Sequence, residues 1–206
     1  MKSAITFHSK TYEQLFYTAR KKKNYYELVY VNTGTALIRL GKWEYVVSAG
    51  EFFWLPFDSL TSITIVPNAQ IAHIAFSIRT REDLPTQGGF VSQTSLLNAL
   101  IAKLFTASLN EQQEQRLLAV IQDELLLATF HTDVSKESMQ VNNYISVLSD
   151  QKTTNESNVI SAEMALMLKV READKMRKSG AKDVMIAKRY FSDDIQAMNS
   201  SFSIFL

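Results

Sequence analysis

Three histidines, His8, His73 and His131, and no cysteine are the whole stock of soft or borderline metal ligands in the chain. Zinc-type sites draw three or four such ligands at short spacings, and these histidines lie far apart with no paired spacing among them. The expectation is therefore a protein without a bound metal or other cofactor. In an extended segment His73 shares one face with Ile71 and Ala75, opposite Ala72, Ile74 and Phe76, which suits a hydrogen-bonded strand residue. The acidic pairs Glu82-Asp83, Asp123-Glu124 and Asp193-Asp194 are sequence neighbours, so their carboxylates point to different faces and serve as surface groups or helix caps. No nucleophile elbow, phosphate loop or dinucleotide fingerprint occurs. Nothing in these spacings supports catalysis, and the chain is not expected to be an enzyme.

What remains is binding chemistry. Arg20-Lys21-Lys22-Lys23 is the densest basic run, suited to a carboxylate or phosphate ligand or to a solvated arm. Behind it come Tyr26, Tyr30, Trp43, Phe53 and Trp54, which either line an aromatic ligand cavity or fill a small barrel. The net charge of +1 conceals segregation. Residues 1–50 carry eight Lys and Arg against three Asp and Glu, residues 111–160 three against eight, and residues 161–189 eight against four. Local patches, rather than the overall charge, bear on nucleic-acid binding.

The elements that must hold these groups change class along the chain. All three prolines and five of six glycines lie at or before Gly89, and short alternating segments fill that half. Strands are expected at Ala4 to Phe7, Glu27 to Val31, Thr35 to Leu40, Trp43 to Val47, Glu51 to Leu55, Thr61 to Val66 and Ile71 to Ile78. Tyr12 to Tyr17 is a further strand or a lead-in. Gly41-Lys42 suits a type II′ hairpin turn and Pro67-Asn68 a second turn. About ten residues per strand favours an antiparallel barrel or jelly roll. Beyond Gly89 the period becomes helical. Helices are expected over Leu96 to Phe105, from an Asn110 cap to about Thr129, over Lys136 to Leu148, from Asn158 or Ser161 to Ser179, over Lys182 to Tyr190, and from Ser192-Asp193-Asp194 to near Asn199. The polar stretch Ser149 to Asn158 reads as a linker or a mobile loop. The fold class is α+β, a β-barrel followed by an all-helical half. At 46% apolar residues the chain builds an ordinary core, and neither a secretory signal nor a membrane span is expected, which makes a cytoplasmic location the default.

Tyr26-Glu27-Leu28-Val29-Tyr30-Val31-Asn32-Thr33-Gly34 together with Ala49-Gly50-Glu51-Phe52-Phe53-Trp54-Leu55-Pro56 resembles the cupin-type sensor domain of AraC-type transcription regulators. Where many cupins place metal-binding histidines, this sequence has Lys21, Lys23 and about Thr61. The resemblance implies a metal-free sensing barrel over residues 1–95, with Lys21 and Lys23 at its mouth and Tyr26, Tyr30, Trp43 and Phe53 as further ligand contacts for a small, anionic effector. It also implies a helical dimerisation segment over 96–135, through Leu117, Leu118, Ile121 and Leu125, although the same stripe suits burial against the helix's own barrel. Val170 to Gly180, Ile186-Ala187 and Phe191-Ser192-Asp193 look like the connecting helix and the start of a second helix-turn-helix within a segment, 136–206, that is shorter than the family's DNA-binding domain. A basic face of Arg171, Lys175, Lys178, Lys182, Lys188 and Arg189 would then meet double-stranded DNA, with a solvated amphipathic helix as the plainer alternative. Two functions follow from the residues: a ligand-sensing homodimeric regulator, or a dimeric interaction module that binds no DNA.

Overall fold

A computed structural model of the chain describes residues 4–80, 82–150 and 160–206, with the backbone only at Asp150. The stretch expected to be a linker falls almost entirely outside the described residues. Alternation of apolar and polar positions, punctuated by turn residues, generates eleven described strands in two antiparallel sheets. The first sheet orders β1 (Ile5–Tyr12), β9 (Ala69–Ser77), β4 (Tyr25–Thr33), β7 (Phe52–Leu55), β10 (Gly89–Val91) and β11 (Phe130–His131). The second orders β2 (Phe16–Tyr17), β8 (Leu60–Ile65), β5 (Thr35–Leu40) and β6 (Trp43–Ser48), with β3 (Lys21–Lys22) also paired to β8. Gly41 has φ +63° and Lys42 is not left-handed, as a type II′ turn requires, and Asn68 takes φ +64° after Pro67.

Each strand divides its side chains between two layers because successive residues face opposite ways. Val29, Val31, Ile38, Tyr45, Val47, Phe53, Leu55, Ile63, Ile65 and Ile71 meet between the sheets. The outward residues Leu28, Phe52, Trp54, Ile74 and Phe76 of the first sheet are covered by α1 (Ser95–Thr106) and α2 (Glu111–Leu127). On the second sheet, Leu37 meets α4 (Ala162–Lys178), α5 (Asp183–Tyr190) and α6 (Ile195–Phe205), while α3 (Lys136–Asp150) lies along β6. The result is four layers: helices, sheet, sheet, helices. Asn110 caps α2 with a reciprocal Gln113 bond, and Ser161 caps α4. The last helix runs past the expected end near Asn199 to Phe205, because Phe202 and Phe205 bury themselves in the α4–α6 core.

Two glycines are forced by close approach. A Cβ on Gly34 would lie 2.6 Å from the Ala69 Cβ, and one on Gly89 would lie 2.3 Å from the His131 carbonyl oxygen. Both have positive φ, so these turns admit no other residue without movement.

Candidate functional site

The aromatic residues expected to line a cavity do something else. Tyr26 stacks on Trp54 with ring centres 5.8 Å apart, and Tyr30 packs on Phe52 at 4.5 Å and under Phe105 of α1. Both therefore face the helical layer outside the barrel, since they alternate with the inward-facing Glu27, Val29 and Val31. Phe53 does point inward, but it is fully buried and closes on Tyr45 and Phe90 at 5.4 and 5.0 Å. Trp43 packs on the same core from edge strand β6. The barrel centre is filled with rings.

Open space lies instead at the barrel mouth, in a cavity of about 230 Å³ lined by the β2–β3 segment (Phe16, Thr18, Lys21, Lys23), Tyr12, Tyr25, Glu27, Thr61, Ile63 and His73. Strand alternation puts Glu27 and His73 on the inner face, where the neighbouring inward positions are Val29 and Ile71. Glu27 is 4% exposed. Its two carboxylate oxygens are taken by the Lys23 ammonium and by His73 Nδ1, the latter at 2.9 Å. Burial pushes the Glu27 carboxyl up, but the His73 hydrogen bond and the Lys23 charge together hold it below the ordinary value. Burial first, and then the Glu27 charge, raise the Tyr12 phenol.

Two polar atoms at this cavity have no protein partner. Thr61 is 1% exposed, and its hydroxyl is buried without a hydrogen bond; His73 Nε2 is likewise buried and unpaired. Leaving such groups unsatisfied costs about 1–3 kcal/mol each, so a molecule that reached them would supply the hydrogen bonds they lack. The basic run is also sorted by the fold. Lys22 pairs with Asp58 at 2.7 Å, Arg20 donates to the Gly41 carbonyl at 2.7 Å, and Lys23 is neutralised by Glu27. Lys21 alone of the four faces the cavity with no acceptor recorded among the described residues. A divalent metal does not fit this donor set. The one carboxylate is already occupied by an ammonium and an imidazole, and among the described residues no group of three or more acidic or histidine side chains converges.

The expected dimerisation stripe is mostly core. Leu118, Ile121 and Leu125 are fully buried against the first sheet, and Leu117 is half-buried on the same cluster beside an open groove with Arg116 and Gln113. A helix on a sheet buries one 3.6-period stripe, and these residues are that stripe.

The expected DNA face is corrected at Arg171. This residue is 1% exposed: it pairs with Glu44 of β6, donates to Thr64 Oγ1 of β8 at 2.9 Å and bonds Glu172 at 2.9 Å. The neighbouring carboxylates hold its charge against the burial that opposes it. Lys175 pairs with Glu172 at 2.8 Å, and Lys178 with Asp174 at 2.7 Å. Tyr17 bonds Asp174 and receives Lys178 Nζ at 2.9 Å. Arg189 is exposed and donates to the Ser149 carbonyl, while Lys182 and Lys188 are exposed with no ion pair recorded among the described residues. Asn142 and Ser138 of α3 bond the backbone of Glu44 and Val46, extending the polar seam between helices and barrel.

The family described as the AraC-like ligand binding domain matches residues 2–128, more than half of the chain. The chain belongs to the AraC-like ligand binding domain family. No curated protein matches the sequence. Among solved structures, an apo variant of ToxT from Vibrio cholerae is 10% identical, with 98% of this chain and 93% of that chain covered at a TM-score of 0.46. Wild-type ToxT from the same organism, bound to an unsaturated fatty acid, is 11% identical, with 98% and 91% covered at 0.41. The Clostridium difficile EutQ protein is 21% identical over 37% of this chain and 57% of its own, at 0.29. In this AraC-like chain the barrel-and-helix order expected from the residues is the order found, and no helix among the described residues is long and apolar enough to cross a membrane.

Proposed function

We propose that the chain is a metal-free AraC-like regulator whose barrel mouth receives a small organic anion and whose helical half carries the response. The observation that carries this reading is the buried, unpaired Thr61 hydroxyl at a cavity also lined by Lys21 and by His73, whose Nε2 is likewise unpaired. The β2 segment connects that cavity to the helices. Phe16 and Thr18 face the cavity, while at the alternate positions Leu15 donates its backbone N–H to the Phe205 carbonyl at 2.8 Å and Tyr17 bonds Asp174 of α4. An effector that fits one setting of this segment better than another shifts the packing of α4. In this reading the response is DNA contact by a homodimer in the cytoplasm, with α5, its following turn and α6 as the reading unit and Lys182, Lys188 and Arg189 as phosphate contacts.

One observation favours a second reading, an interaction module that binds no DNA. The exposed residues of α6 include Gln196, Asn199, Ser200, Ser203 and Ile204, and the helix has no Lys or Arg. Selection of duplexes from a randomised pool by the full chain, at low and at physiological salt, separates the two. Enrichment of a sequence, with an affinity that falls with salt and weakens in Lys182→Ala/Lys188→Ala, supports the regulator. Failure to retain any duplex even at low salt supports the module.

A further inference from the structure

The mouth cavity has a built-in asymmetry between its two sides of His73, and this inference rests on the effector reading above. Glu27 is buried, and its ionised oxygens only accept hydrogen bonds, so the imidazole Nδ1 at 2.9 Å carries a hydrogen. With that nitrogen committed, the state of Nε2 decides what the cavity recognises: a bare lone pair in the neutral ring, a donor in the imidazolium. An anion brings acceptors alone and would meet a lone pair with a lone pair. We propose that a small carboxylic acid binds here as its anion together with one proton taken up by His73, so that Nε2–H and the Thr61 hydroxyl donate to the two carboxylate oxygens and Lys21 supplies the uncompensated charge.

The surroundings of His73 support this order of events. From β1 it is faced by its cross-strand partner His8, with Tyr12 further along; from the β3 side by Lys21 and Lys23; from β4 by Tyr25 and Glu27; from β8 by the neutral Thr61. Glu27 already serves Lys23, so with Lys21 beside them the mouth holds one cation in excess. An anion and a proton entering together leave that net charge unchanged. The remaining walls, Tyr12, Phe16 and Ile63, offer apolar and aromatic surface, which fits a short aliphatic or single-ring acid in about 230 Å³. A neutral polyol would instead donate to bare Nε2 and bring no proton with it.

Calorimetric titration of the full chain with benzoate, hexanoate and the neutral benzamide tests this, run in imidazole and in Tris so that buffer ionisation heats count protons. Across about pH 6 to 9, benzoate binding is expected to take up a proton fraction that rises to about one, with affinity falling about tenfold per pH unit on the alkaline side. Benzamide takes up none. His8→Gln retains the uptake and His73→Gln loses it along with the pH dependence. Because His73→Gln also alters the bond to Glu27, a ¹⁵N titration of the wild-type His73 imidazole gives a second readout, with Nε2 gaining its proton on benzoate addition at alkaline pH. Benzoate binding with no proton uptake at any pH, or uptake that persists in His73→Gln, overturns the proton linkage and leaves the effector reading standing. No binding of either acid by the wild type overturns both.

Discussion

Glu27 is the residue on which the barrel mouth turns. Its carboxyl titrates below the ordinary glutamate value of about 4.3, so its contribution to stability is complete above that value and is lost as pH falls through the lower, folded-state value. Glu172, which burial pushes up but Arg171 and Lys175 pull down further, behaves in the same sense. Glu27→Gln is expected to lower the unfolding free energy by about 2 kcal/mol at neutral pH, since it leaves Lys23 and His73 short of an acceptor. Urea denaturation of both proteins checks this, and the gap between them should close as the solution is taken below about pH 4. The role of Glu27 and His73 was partly legible in the sequence, because a carboxylate in step with Val29 and Val31, and a histidine in step with Ile71, occupy inward positions where charge needs a partner. Thr61 gave no such signal. Its hydroxyl is distinctive only because tertiary packing, with β3 and β5 paired on either side of Thr61, buries it without an acceptor, and no local pattern encodes that.

At the scale of elements, periodicity revealed which face of a helix is apolar but not what covers it. The α2 stripe reads equally as a dimer contact or as core, and contact with the first sheet decided for core at Leu118, Ile121 and Leu125. Ile121→Ala should therefore cost about 2–5 kcal/mol in chemical denaturation. Leu127→Ser, at a position 84% exposed, should change stability by less than about 0.5 kcal/mol. The strand boundaries were readable because Gly34, Gly41, Gly50 and Pro67 punctuate them. The short β10–β11 pairing was not, since it depends on Gly89 letting the His131 backbone pass within contact distance. On α4 the ambiguity has the same origin: cations at helical spacing read as one exposed face, but Arg171, only about 40° round the helix from Lys175, reaches inward to Glu44. Arg171→Met, which strands Glu44 in the interior, should cost about 3–5 kcal/mol. The double variant Glu44→Met/Arg171→Met should recover most of that loss, a cycle measurable in urea.

For the whole molecule, the change from β to helical segments near Gly89 was legible because the turn residues stop there and the hydrophobic period switches. The wrapping of the two helical groups around opposite faces of the barrel was not, because strands covered on both sides lose the apolar–polar alternation that would reveal a solvent face, as in β7, where all four residues are buried. Both tryptophans, Trp43 and Trp54, lie in the barrel half, so their fluorescence reports on the sheets while far-ultraviolet dichroism reports mainly on the helices. The two signals are expected to trace one denaturation curve, and a helix transition at lower urea than the fluorescence change would show that the helical half comes away first. The Arg171–Glu44 pair has a further consequence for how such a chain can be rebuilt. The barrel grafted onto a foreign helical domain would carry Glu44 and Leu37 into water or against an unmatched surface, and a liberated helical segment would carry Arg171 likewise. Barrel and helical half are in this sense not interchangeable cassettes: any recombination must cut the chain so that β6, β8 and α4 travel together.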